Sequence, residues 1–180
     1  MAQQASFQAI GTLWDIQVDD DIDDEAWSQV MAQVHDRIDA FDGIYSRFRP
    51  DSMVSRMAEQ GGRHQLPPDG HKLLQFYERL YRATNGMVTP LIGQAMADAG
   101  YDAAYSFRER PLQVSPAWEE VISYDEHVIS LAEPALLDFG AAGKGYLVDI
   151  VAALLIMHGL ASFTINAGGD VLHRSDTGIP

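Results

Sequence analysis

The chain has 180 residues, 47% of them apolar, no cysteine and a formal net charge of −14. That length and composition suit one globular core, and the missing cysteine excludes disulfides, thiolate metal sites and a cysteine nucleophile. The acidic balance argues against a nucleic-acid partner but leaves room for a phosphorylated ligand held by local groups. No apolar run approaches the roughly 20 residues of a transmembrane segment. Residues 1–13 lack the charged start and long apolar stretch of a signal peptide, and a lipobox would need a cysteine. As written, the chain reads as cytoplasmic, unless an export segment has been trimmed.

In chain order, Phe7 to Val18 alternates loosely around Gly11-Thr12 and predicts a strand with a kink or a close backbone approach at the glycine. The acidic run Asp19 to Glu25 opens a helix whose apolar face is Trp27, Val30, Met31, Val34, Ile38 and Phe41. Tyr45 to Met57 predicts a loop leading into a short helix. Gly61-Gly62 and Pro67-Pro68 mark turns, and Asp69 stands where it can cap a helix carrying Leu73, Leu74, Tyr77, Leu80 and Tyr81. That helix stops at Thr84-Asn85-Gly86, and Pro90 to Asp98 predicts a further short helix. Val121–Tyr124 and His127–Leu131 flank Asp125-Glu126 as a hairpin.

Ala135–Asp138 reads as a short strand, Lys144–His158 as a helix closed by Gly159, and Phe163–Asn166 as a returning strand. Strand, helix and strand fit a right-handed crossover between parallel neighbours. The expected fold class is therefore α+β, a mixed sheet with hairpins and a βαβ crossover, with helices packed on it. The whole of 1–180 is expected to form one part of a longer domain, because a polar Gly/Pro stretch follows the last strand directly.

The chemistry concentrates between Asp138 and Asp149. Glycines at 140, 143 and 145 allow close backbone approach at a helix N-terminus, where orphan N–H groups and the dipole favour an anion. Asp138 and Lys144 flank that turn with opposite charges. Asn166-Ala167-Gly168-Gly169-Asp170 supplies a second glycine turn at the end of the following strand. The spacing is not the G-x-G-x-x-G of a dinucleotide fold, which disfavours a dinucleotide-dependent oxidoreductase. The six histidines lack paired ligand spacing and read as surface or satisfied polar residues.

Five blocks stand in order: Ile10-Gly11-Thr12; Ser46-Arg47-Phe48-Arg49-Pro50-Asp51-Ser52 with Ser55-Arg56; Thr84 to Gly93; Leu137-Asp138 to Asp149; and Ile165 to Asp170. Together they resemble the ApbE family of flavin transferases. The resemblance implies an ApbE/T-fold-like architecture. It also implies a reaction in which Mg2+ and FAD serve to place FMN on a Thr or Ser of an acceptor flavoprotein, with AMP leaving. Some members of the family instead hydrolyse FAD to FMN and AMP. It implies FAD contacts at Asp138 and Lys144, a flavin site lined by Met87, Val88 and Thr89, an aromatic beside the isoalloxazine at Phe48, and a hydrophobic contact at Ile10.

Ala141 stands where the family supplies a metal ligand, which an alanine can do only through its carbonyl. Thr89 stands where an aspartate is usual, and Ala142-Gly143 replace the common Ile-Ala. A catalytic histidine and a late metal-binding segment of the family have no counterpart among these residues, so this chain alone is expected to be inactive. The family is often exported as a lipoprotein anchored at the inner membrane. A module that holds FAD without turnover is the alternative reading.

Overall fold

The computed structural model describes residues 2–176, which form two compact units. One comprises the described parts of 1–42 and 142–180, and the other comprises 43–141. The polar stretch that closes the chain lies largely outside the described residues.

In the first unit, β1 (Gln3–Ala9) and β2 (Thr12–Val18) pair antiparallel through the two-residue turn Ile10-Gly11. The single strand expected from Phe7 to Val18 is thus a hairpin. Both turn residues have positive φ, 42° at Ile10 and 75° at Gly11, as the twist-matching type I′ turn requires. After β2 comes α1 (Asp24–Tyr45), and the long return to this unit brings α6 (Gly143–Met157), β6 (Phe163–Ala167) and β7 (Asp170–Arg174). The sheet order is β1-β2-β6-β7, antiparallel at every junction.

Alternation fixes which face of the sheet is buried. Trp14, Ile16 and Val18 of β2 and Phe163, Ile165 and Ala167 of β6 are all fully buried. On α6, Leu147, Val148, Val151, Ala152 and Leu155 are buried, and this helix packs on β6 and β7. Trp27, Val30, Met31, Val34, Ile38 and Phe41 of α1 are buried at helical spacing as expected. The Phe7 ring of β1 meets the His35 ring of α1 edge-on at 4.3 Å. Gly159, at φ 81°, ends the last turn of α6.

The second unit carries α2 (Met53–Glu59), β3 (Gly62–Gln65), α3 (Gly70–Ala83), a 3-10 turn at Pro90–Ile92, α4 (Gly93–Asp98), α5 (Trp118–Val121), β4 (Ile122–Tyr124) and β5 (Val128–Leu131). Its sheet runs β3-β5-β4 and is also antiparallel. Ser52 caps α2 by accepting the Ser55 N–H at 3.0 Å. Asp69 precedes α3 in helical conformation and makes no side-chain capping bond. The core is aromatic: Phe139 meets Tyr45 and Tyr77 edge-on, each at 5.3 Å, the geometry that ring quadrupoles favour.

The α+β class stands, with one correction. Residues 135–138 form no strand, and both neighbours of β6 are antiparallel, so the expected βαβ crossover between parallel strands is absent. The Ala135 and Asp138 N–H groups bond elsewhere. Ala135 donates to Met57 O at 3.1 Å and Asp138 to Pro90 O at 2.7 Å, the last turn of a helix and the start of a 3-10 turn rather than a strand edge. Gly93 makes this possible, because a Cβ there would overlap the Leu136 carbonyl.

Candidate functional site

In the unit formed by 43–141, the site residues gather around an arginine. The loop after α1 places Arg47 in a buried position, 8% exposed. Its Nε donates to Asp138 Oδ2 at 2.6 Å, and the two side chains are 6% and 15% exposed. The other carboxylate oxygen accepts the Gly140 N–H at 2.6 Å. Asp138 is therefore clamped by a cation and a backbone amide, with lone pairs left over. Such a carboxylate can accept an N–H or O–H from a ligand in fixed geometry.

Arg47 also binds the other side of the loop cluster. Its Nη1 donates to the Tyr101 carbonyl, and its guanidinium carbon lies 4.2 Å from the Phe48 ring centroid, a cation–π contact. Phe48 in turn stacks on Tyr105 with centroids 5.0 Å apart and planes 4° from parallel. Phe48 and Asp138, which the resemblance singles out separately, are thus joined through Arg47.

The 87–89 segment arranges its three side chains differently. Met87 is 87% exposed. Val88 is half-buried, and its N–H donates to Thr84 Oγ1 at 3.0 Å. Thr89 is buried, and its hydroxyl accepts the Leu91 N–H at 3.2 Å, capping the 3-10 turn. A threonine oxygen performs the capping that an aspartate would perform at this position. Pro90 then carries the carbonyl that receives the Asp138 N–H, which ties this segment to the glycine turn.

Ala141 lies exposed in that turn. The Mg2+ that the resemblance implies does not fit what surrounds it. Among the described residues no three His, Asp or Glu side chains come together, and one backbone carbonyl does not hold a hard divalent cation.

In the other unit, Ile10, Lys144 and the second glycine turn share one corner. Lys144 stands in the first turn of α6, its Nζ 3.3 Å from Gly168 O and 3.5 Å from Asp170 Oδ2. The β6–β7 turn uses Gly168 and Gly169 at φ 59° and 102°, braced by Asn166 Oδ1 accepting the Gly169 N–H at 3.0 Å. The Gly168 N–H donates to Leu13 O at 3.0 Å, and a Cβ on Gly168 would overlap Thr12. The Asn166–Asp170 turn therefore lies against the strand that leaves the Ile10-Gly11 turn. A shallow recess beside it is lined by Gly145, Val148, Asp149, Asp170, Val171 and Leu172.

Reading the sequence alone missed Arg47 and Tyr105. Arg47 stood inside a recognised block, but nothing local marks its partner. Tyr105 lies in a stretch without periodicity. Its only signal is aromatic density, Tyr101, Tyr105 and Phe107 within one loop.

The chain matches the ApbE family model over residues 10–178. No curated protein matches it. Among solved structures, it superposes on a mutant of the Vibrio cholerae flavin transferase ApbE with TM-score 0.83 at 19% identity, covering 100% of this chain and 65% of that one. The apo form of the Pseudomonas stutzeri flavinyl transferase ApbE gives TM-score 0.79 at 19% identity, covering 97% and 61%. The Thermotoga maritima ApbE protein gives 0.73 at 17% identity, covering 96% and 59%. The chain thus spans less than two thirds of each of these structures.

Proposed function

The chain belongs to the ApbE family, and on that premise we propose that it binds FAD and serves the transfer of FMN to a Thr or Ser of an acceptor flavoprotein. In that reaction the acceptor oxygen bonds to the FMN-side phosphorus, the pyrophosphate bond breaks, AMP leaves with the bridging oxygen, and the hydroxyl proton passes to a base. This is phosphoryl transfer, in which a protein contributes mainly positioning and neutralisation of charge.

The observation that carries the reading is the Arg47–Asp138 pair at 2.6 Å, set between Phe48 and the Gly140 amide. It offers a fixed acceptor for the polar groups of a nucleotide beside an aromatic ring for a flat heterocycle. In this reading Phe48, Met87, Val88, Thr89 and Asp138 are flavin and FAD contacts, as are Ile10 and Lys144. Lys144 brings a cation to the start of α6, where the dipole also favours a phosphate.

Mg2+ dependence belongs to the proposal only with donors from beyond these 180 residues, to which Ala141 would add its carbonyl. A catalytic histidine has the same proposed origin, the chain being the N-terminal part of the transferase domain. No step is assigned to the metal. A second reading, that this chain holds FAD without turning it over, is favoured by the lack of a three-donor cluster among the described residues. Hydrolysis of FAD to FMN and AMP is the third outcome that the chemistry allows. No helix of the described residues is long and apolar enough to cross a membrane, and an inner-membrane or periplasmic location would rest on an export segment.

The test is an FAD titration by flavin fluorescence, with and without Mg2+, on this chain and on the product of its complete reading frame. AMP release and the mass of a candidate acceptor are read in parallel. Binding by both, with AMP release and an FMN adduct only from the complete product, is the expected result. AMP release without an adduct would favour the hydrolase, and no flavin binding by either would overturn the reading.

A further inference from the structure

We propose that Tyr105 and Phe48 form a two-ring clamp that opens to take the flat heteroaromatic ring of the substrate between them, which the flavin reading makes the isoalloxazine. The inference rests on that reading and adds to it a binding residue outside the recognised blocks.

The geometry is that of a closed slot. The two rings are parallel within 4° with centroids 5.0 Å apart, and both are partly open to solvent, 38% exposed at Phe48 and 52% at Tyr105. Carbon atoms in contact sit about 3.5 Å apart, so a ring held between two others needs their planes about 7 Å apart. The clamp must therefore open by roughly 2 Å or more. Parallel rings keep a flat guest in contact on both faces as they part, which an edge-on pair would not.

The loop that carries Tyr105 is tied to itself as one block. Residues 101–110 contain no helix or strand. Asp102 ties the loop to itself, its carboxylate accepting from the Ala104 N–H, the Ser106 N–H and the Ser106 hydroxyl at 3.1, 2.9 and 2.6 Å. The Phe107 N–H closes it onto Gly100 O at 3.0 Å. Tyr105 and Phe107 adopt φ of 47° and 50°, left-handed values that cost an ordinary side chain energy and persist where surrounding bonds dictate them. Gly100, at φ 94°, approaches Phe107 so closely that a Cβ would overlap its backbone, which lets the Phe107 N–H close the loop there. At the base, the Arg47 bond to the Tyr101 carbonyl links the loop to the residue that also contacts Phe48 and Asp138. The ring slot and the carboxylate are thereby held to one reference.

The test uses riboflavin, which carries the ring without the phosphates, titrated by fluorescence against the complete protein. Tyr105→Ala is expected to weaken riboflavin and FMN binding by about threefold to tenfold, the worth of one aromatic contact, with the thermal midpoint unchanged. Tyr105→Phe, which keeps the ring, is expected to restore wild-type affinity. Unchanged affinity in Tyr105→Ala, or a loss that Tyr105→Phe does not restore, would overturn the clamp while leaving the flavin reading intact. Failure of the wild type to bind any flavin would remove the flavin reading and the clamp with it.

Discussion

Arg47 donates from Nε to Oδ2 of Asp138 at 2.6 Å, across 91 residues of sequence. Two largely buried opposite charges held this way depend on each other, since removing either leaves the other unpaired in a poorly solvated place. Arg47→Ala is expected to destabilise the protein by about 3 kcal/mol, read as a shift of the urea midpoint. Asp138→Asn, which keeps an oxygen acceptor and the shape, is expected to cost less. The double variant should be more stable than the sum of the two single losses predicts, because neither charge is then stranded. Additive losses would show that the pair contributes nothing beyond packing.

That pair also shows where the sequence was legible and where it was not. Periodicity marked the buried face of α1, and that of α3 at Leu73, Leu74 and Tyr77 with Leu80 and Tyr81 half-buried, because helical burial repeats within a few residues. Glycine chemistry marked the turns at 140–142 and 168–169. The Ile10-Gly11 turn was misread as a kink or close approach within one strand, because a β-branched residue at positive φ is an unfavourable choice that propensity does not anticipate. Residues 135–138 were misread as a strand. A short apolar run can be a strand, but pairing is decided by neighbours distant in sequence, here Met57 and Pro90. Arg47 and Tyr105 escaped for the same reason: their significance lies wholly in long-range partners.

Lys144 separates stability from binding. Its side chain is 31% exposed and its partner Asp170 46% exposed at 3.5 Å, so their attraction is screened and contributes less than about 1 kcal/mol to folding. Lys144→Ala is expected to leave the thermal midpoint within a few degrees of wild type. The same change should weaken FAD binding about tenfold, as the loss of a charge-assisted bond to phosphate would, and Lys144→Arg should recover most of it. Unchanged FAD affinity in Lys144→Ala would remove this residue from the site.

Acid should loosen the 101–107 loop. The Ser106 hydroxyl bond, followed by the Ser106 amide, holds the Asp102 carboxyl below its usual value of 3.8. A folded pKa below the unfolded one means a contribution that is complete above about pH 3.8 and lost as pH falls through the lower, folded value. The Tyr105 ring resonances are therefore expected to be constant from neutral pH down to about 4 and to shift below it. Asp102→Asn should abolish that step. A step at higher pH, or one that persists in the variant, would assign the transition to another group.

Ile10 offers a test of stability against binding. At φ 42° a β-branched side chain is strained, whereas asparagine tolerates the left-handed region and Asn-Gly is the favoured pair for a two-residue hairpin. Ile10→Asn is expected to raise stability by about 1 kcal/mol, visible as a higher thermal midpoint. If the side chain contacts the flavin as proposed, the same change removes an apolar surface from the ligand, and FAD affinity should fall by about threefold to tenfold. A strained residue kept at a turn where a relaxed one would fit is the pattern expected when binding opposes stability. A variant that gains stability and keeps full affinity would show that Ile10 is tolerated at this turn rather than required there.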